Sequence, residues 1–226
     1  MIPLERTKLC ERKLPDYTKG EEIFNMVTHI VGGGLGVIIL VSCILVSVLH
    51  KSVMGIITSA IYGFSVISLY TLSSVYHGLR PSMGKKVLQV LDHCTIYLLI
   101  AGTYTPILLC AILPIAPITA IALLAFVWGC AALAATLTAI DLKKYGVFSM
   151  ICYITTGWCI TIDIPSTISA ITPAGFYWLL SGGIAYTIGA VLYGLGRHHK
   201  YVHSVFHIFT VIGSLLQYVC IIAFVL

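Results

Sequence analysis

The chain has 226 residues, of which 59% are hydrophobic and only 9% charged, with a mean hydropathy of +1.02. Soluble domains carry roughly 25% charged residues, so this composition cannot coat a water-facing surface and describes a chain that faces lipid. The net charge of +5 would suggest nucleic acid in a soluble protein; here its distribution points to membrane orientation instead, and no nucleic-acid partner is expected.

Residues 1–25 read as a charged cytoplasmic tail. The stretch MIPLERTKLCERKLPDYTKGEE mixes both charge signs and has neither an apolar core nor a small-residue cleavage site, so it is not expected to be a cleavable signal. Residues 26–226 read as one all-α transmembrane domain. Seven apolar runs reach or approach the length of about 20 residues that spans a bilayer: 26–49, 53–77, 88–111, 118–140, 147–164, 174–195 and 203–225. Gly32, Gly33, Gly34 and Gly36 in the first run are expected to let it pack closely on a neighbour. Pro106 in the third removes a backbone donor and is expected to kink that helix. Seven of the eight cysteines fall inside apolar runs, none in a Cys-x-x-Cys pair, so they read as small hydrophobes without disulfides.

Orientation follows from the basic residues. With the N-terminus inside, Arg6, Lys8, Arg12, Lys13, Lys19, Arg80, Lys85, Lys86, Lys143, Lys144, Arg197 and Lys200 are all cytoplasmic, and only Lys51 is outside. That alternation requires an odd number of crossings and puts the C-terminus outside.

Ionisable side chains within spans are costly and mark function. Ser73 and His77 lie near the end of the second run, Asp92 near the start of the third, and His203 with His207 at the start of the seventh. With alternating directions, all five fall at the cytoplasmic ends, within about 7 Å of depth at 1.5 Å per residue. Ser73/His77 and His203/His207 are each four residues apart, so each pair shares a helix face. Two imidazoles one turn apart can reach one cation, and a third from the second run would leave the fourth position of a tetrahedral Zn²⁺ open for water, the catalytic arrangement. Asp92 would suit deprotonating that water, and Ser73 could orient it or a substrate carbonyl. His93 follows Asp92 by about 100° and is expected to point elsewhere. His198 and His199 read as solvated loop residues and His50 as an outer one. His29, with Glu22 and Asn25, reads as a packing residue or a support for the ligands.

These residues resemble the bacterial hemolysin III family, a branch of the progestin and adipoQ receptor superfamily. The matching segments are Glu22-x-x-Asn25-x-x-Thr28-His29, Ser73-Ser74-Val75-Tyr76-His77, the stretch from Leu91-Asp92-His93 to Thr105-Pro106, and His203-x-x-x-His207. The resemblance implies a seven-helix fold with zinc near the cytoplasmic face, liganded by His77, His203 and His207, with Ser73 and Asp92 beside its water. Related members, including adiponectin receptors and alkaline ceramidases, are associated with hydrolysis of ceramide amide bonds. The long N-terminal region of the receptor branch is missing here, which weakens a hormone-receptor reading.

Three functions compete: a zinc-dependent hydrolase of lipid amides with a membrane-lipid substrate, a cytolytic pore, and a sensor or receptor with structural zinc. A pore needs several helices with polar stripes, whereas the fourth to sixth runs are almost purely apolar away from their ends. A retinal-type pump is excluded because the seventh run has no lysine for a Schiff base. The expected location is the cell membrane, and the sequence does not specify an oligomeric state. A reporter fused after Leu226 is expected to read as outside and one at Lys143 as cytoplasmic; finding both on one side would end the odd-crossing topology.

Overall fold

The computed structural model describes residues 6–195 and 199–226, which form helices and loops with no strand among them. Arg197 and His198 lie outside the described residues. The helices are α1 (Lys19–Leu49), α2 (Val53–Gly78), α3 (Met83–Pro106), α4 (Pro117–Ile140), α5 (Gly146–Trp158), α6 (Ile164–Leu195) and α7 (Val202–Phe224).

Local chemistry sets several of their starts. Thr18 and Glu21 form a capping box: the Thr18 hydroxyl accepts from the Glu21 amide at 3.3 Å, and the Glu21 carboxylate accepts from the Thr18 amide at 2.9 Å. α1 therefore begins at Lys19, ahead of the apolar run at residue 26, and carries Glu22 and Asn25 into the bundle on helical backbone. Ser52 and Ser82 cap α2 and α3 by accepting from the amides of Gly55 and Lys85. At Pro106 the i→i−4 pattern gives way to a π-helical turn over Ile107–Ile112, with the Leu113 amide bonded to the Leu108 carbonyl at 2.8 Å. The helical path is thus altered at the expected proline.

Six helical stretches among the described residues are long and apolar enough to cross a membrane. One of them, Gly146–Gly194, has 49 residues. Fully extended as helix it would span about 74 Å at 1.5 Å per residue, against a hydrocarbon core of about 30 Å. The chain resolves the mismatch by turning back. Thr172, at φ 64° and ψ 163°, breaks the helical path just before Pro173. The Trp158 indole N–H then donates to Thr187 Oγ1 at 2.9 Å across 29 residues of sequence.

α1 packs along α2, α2 along α3 and α6 along α7, while α1 also meets α7. One end of the bundle gathers the N-terminal segment, the end of α2 and the start of α7: Lys85 Nζ donates to the Leu79 carbonyl, and the Tyr201 amide donates to Glu21 Oε1 at 2.7 Å. At the opposite end His50 Nδ1 lies 2.6 Å from the Leu226 carbonyl oxygen. Residues ahead of α1 strap the first end to the end of α4. Arg6 Nε and Arg12 Nη2 donate to the Ile140 carbonyl at 2.9 and 3.2 Å, and the Thr7 amide donates to Asp141 Oδ2 at 2.9 Å. Burial alone would raise the Asp141 pKa, but the amides of Thr7, Lys143 and Lys144 hold the carboxyl below its ordinary range.

Isoleucines and valines such as Ile30, Val31, Ile118 and Val147 cover the outside, where lipid takes the place of water. Inside, buried tyrosines bond between helices. The Tyr70 hydroxyl donates to the Thr210 carbonyl at 3.0 Å and lies 2.7 Å from Ser214 Oγ, which also lies 2.7 Å from the Tyr186 hydroxyl. Of the glycines in α1, Gly32 faces the Tyr70 ring so closely that a Cβ would stand 2.5 Å from it, and Gly36 sits against Val66 and Ile67. Gly34 has nothing within 4 Å, so close packing belongs to part of the run.

Gly32→Ala is expected to displace the hydrogen-bonded Tyr70 ring and cost about 1–3 kcal/mol. Gly34→Ala should be neutral or slightly stabilising through helix propensity. Thermal melts of both variants in one detergent check this, and equal midpoints for Gly32→Ala and wild type would refute the packing.

Candidate metal centre

Two helices deliver the three imidazoles. His77 lies in the last turn of α2, and His203 and His207 occupy the first turns of α7, which starts from the left-handed Tyr201 (φ 61°). All three histidines are buried, and one ring nitrogen from each lies within 4.8 Å of the others. The Nε2 atoms of His203 and His207 are 3.0 Å apart. Tetrahedral ligands at about 2.0–2.1 Å from a metal stand roughly 3.3–3.4 Å apart, so a small adjustment brings the trio to ligand spacing.

The orientation of His77 is set by Glu22. His77 Nδ1 lies 2.6 Å from Glu22 Oε2. An ionised carboxylate only accepts, so Nδ1 carries the proton and donates, and Nε2 presents its lone pair. That Nε2 is buried with no protein partner among the described residues, and a metal would satisfy it. A histidine held through its other nitrogen by a carboxylate is the usual supporting arrangement of a zinc ligand. Glu22 Oε1 in turn accepts from Lys85 Nζ at 2.6 Å. The buried Asn25 amide lies 3.5 Å from His77 Nδ1.

His203 and His207 open onto a cavity of about 170 Å³ that runs from Pro15 and Tyr17 to Gln217 deep in the bundle. Ser73 and Asp92 line it beside His203 and His207. Ser73 Oγ is buried without a partner among the described residues, and the Asp92 carboxylate lies 3.8 Å from His93 Nδ1. Beyond them the walls are largely apolar: Leu69, Ile96, Leu99, Ile100 and Phe206, with Gly157 and Gly183 supplying room. Tyr17 caps the near end, its ring stacked on His203 at 4.9 Å and 15°. Burial, then Tyr193 and the nearby carboxylates, push the Tyr17 pKa up, which keeps the phenol protonated.

A family profile described as "Haemolysin-III related" matches residues 17–218, nearly the whole described bundle. The chain belongs to this family. It is 34% identical over 210 residues to Hemolysin-3 of Bacillus cereus, covering 91% of this chain and 92% of the relative. It is 32% identical over 205 residues to the Hemolysin-3 homolog of Bacillus subtilis (strain 168), covering 91% and 94%. A more distant likeness, 26% over 172 residues, joins it to the Monocyte to macrophage differentiation factor of Homo sapiens, covering 73% and 69%. With its apolar helices, this haemolysin-III-related chain is a multi-pass membrane protein of the cell membrane.

The five polar residues singled out along the sequence are thus brought to one cavity or its edge. One expectation is corrected: His93 does not point away. It lines the same cavity, its Nδ1–H donating to the Gln89 carbonyl at 2.8 Å and its Nε2 lying 3.0 Å from the Tyr193 hydroxyl. A turn of 100° separates side chains on a narrow face, but the cavity is wide enough for α3 to present both neighbours. His29 packs as expected, its ring 3.9 Å from that of His207 and edge-on to Tyr70 at 4.9 Å. Tyr17 and the buried Lys85 were not singled out. Glu22, Asn25 and His29 carried a usable signal, because steps of three and four residues place them on one face of α1.

Glu22→Gln removes the negative charge shared by His77 and Lys85. Zn²⁺ affinity, measured by competition with a chelator, should fall about 10–100-fold. Unchanged affinity would show that the carboxylate does not orient the ring.

Proposed function

We propose that this protein is a seven-crossing hydrolase of lipid amide bonds, ceramide-like in chemistry, with Zn²⁺ held by His77, His203 and His207. The observation that carries the reading is the convergence of three buried imidazoles at one end of an apolar cavity that also presents Ser73 and Asp92. When bound there, zinc supplies Lewis acidity toward a carbonyl and lowers the pKa of water.

The chain's own residues take the remaining roles. Glu22 holds His77 in the tautomer that offers Nε2. Asp92 is the general base, and its carboxylate accepts a proton at the cavity wall. Ser73 Oγ, unpartnered among the described residues, donates to the substrate carbonyl or holds water. The apolar wall takes the lipid chain, and Tyr17 shields the histidines from bulk water.

The topology belongs to the same proposal. Thr18 and Leu226 stand at opposite ends of the bundle, which fits an odd number of crossings. Counting the fold-back at Thr172 as two crossings makes seven, with the N-terminus cytoplasmic and the C-terminus outside. The name of the Bacillus cereus relative favours cytolysis as a second reading. The inward positions of α4, however, include Ala120, Leu123, Val127, Ala131 and Ala134, which offer no lining for ions.

Metal analysis of purified protein, paired with lipid-amide hydrolysis with and without chelator, tests the reading. Alanine at His77, His203 or His207 should collapse zinc content. Asp92→Asn, assayed at saturating zinc, should retain metal and lose about 10²–10⁴-fold in hydrolysis. Full activity in Asp92→Asn would remove Asp92 as the base. Wild-type protein that holds zinc but cleaves no lipid amide would leave a structural metal and end the enzyme reading.

A further inference from the structure

The far end of the cavity carries a polar group that the chemistry above does not use. Gln217 lies ten residues beyond His207 on α7, about 15 Å deeper at 1.5 Å per residue. It is 5% exposed and lines both the main cavity and a smaller chamber of about 40 Å³ that continues it. Its Nε2 donates to the Leu179 carbonyl at 3.1 Å, and its amide packs so tightly on Gly182 that a Cβ there would stand 2.5 Å from Nε2. With the nitrogen bonded to α6, the carbonyl oxygen is the hydrogen-bonding atom this side chain has left. Gln217 Oε1 has no partner among the described residues, and a bare buried acceptor is costly.

Polar side chains that line the cavity at this depth are already engaged. The Tyr104 hydroxyl donates to the Gly157 carbonyl and accepts from the Ile160 amide, the Trp158 indole donates to Thr187, and the Thr103 hydroxyl donates to the Leu99 carbonyl. This depth therefore offers an open acceptor beside donors that are already engaged. A ligand gains here by bringing an O–H, and a carbonyl at the same place gains nothing.

We propose that Gln217 Oε1 is a recognition point for a hydroxyl carried within the lipid chain, roughly a dozen carbons from the group that meets the histidines. The ligand class is a long-chain amide with a mid-chain hydroxyl. This rests on the cavity being a lipid site; it does not require that the lipid be cleaved.

The test uses full-length protein in detergent and three fatty amides of equal length: unsubstituted, hydroxylated mid-chain, and carrying a ketone at that carbon. Affinities come from displacement of a fluorescent acyl amide. In wild type the hydroxylated amide should bind about 3–10-fold tighter than the plain one, and the ketone no tighter. Gln217→Leu and the length-preserving Gln217→Met should erase the advantage, because the hydroxyl is then buried without a partner. An equal gain from ketone and hydroxyl, no gain in wild type, or a gain that survives in a folded variant overturns the assignment. The wild-type comparison decides the question if neither variant folds. If the plain amide binds but shows no such discrimination, Gln217 alone loses its role. If none of the amides binds, the lipid reading falls with it. The hydroxyl preference without hydrolysis upholds Gln217 and removes only the enzyme reading.

Discussion

One carboxylate ties three helices together at the end of the bundle where the histidines meet. Glu22 on α1 takes a proton donor from α2 on one oxygen, His77 Nδ1 at 2.6 Å, and a cation from α3 on the other, Lys85 Nζ at 2.6 Å. Lys85 is 3% exposed. An ammonium buried to that degree without its partner costs on the order of several kcal/mol, so the helix ends are held in one register. That register also turns Asn25 and His29 inward, one and two turns further along the same face of α1. The orientation of the His77 ring, and hence the lone pair it offers, depends on this single side chain.

Deeper in the bundle the same economy holds with neutral groups. In a bilayer a polar group that leaves water must find its partner within the protein. Tyr70, Ser214 and Tyr186 form a chain from α2 through α7 to α6, and Tyr153 on α5 donates to the His93 carbonyl on α3. These bonds frame the cavity without entering it. Among the buried atoms left open, His77 Nε2, Ser73 Oγ and Gln217 Oε1 belong to residues at or along that space.

Much of this architecture was legible in the sequence because a membrane imposes simple rules. Run lengths and breaker residues located the helices, and the spacings of Ser73/His77 and His203/His207 placed the imidazoles at one depth. The start of α1 was misjudged in length because Glu21 and Glu22 look like solvated tail. The capping box and the Lys85 pair make them helical, and both depend on partners that hydropathy does not register. His93 was misread because angular spacing on one helix says nothing about the width of the space it faces. Tyr17 could not be singled out at all, since its place over His203 follows from the path of the segment that binds Ile140 and Asp141.

The two halves of the candidate metal centre stand far apart along the sequence. His77 and Ser73 come from the second helix, His203 and His207 from the last, and 126 positions separate His77 from His203. At synthesis rates of about 5–20 residues per second that interval lasts on the order of ten seconds. Glu22, His77 and Lys85 all precede that interval, so one half of the site and its carboxylate partner are made before the opposing imidazoles. A carboxylate partner encoded ahead of the ring it holds would keep that ring's Nδ1 satisfied in lipid before its counterparts are made.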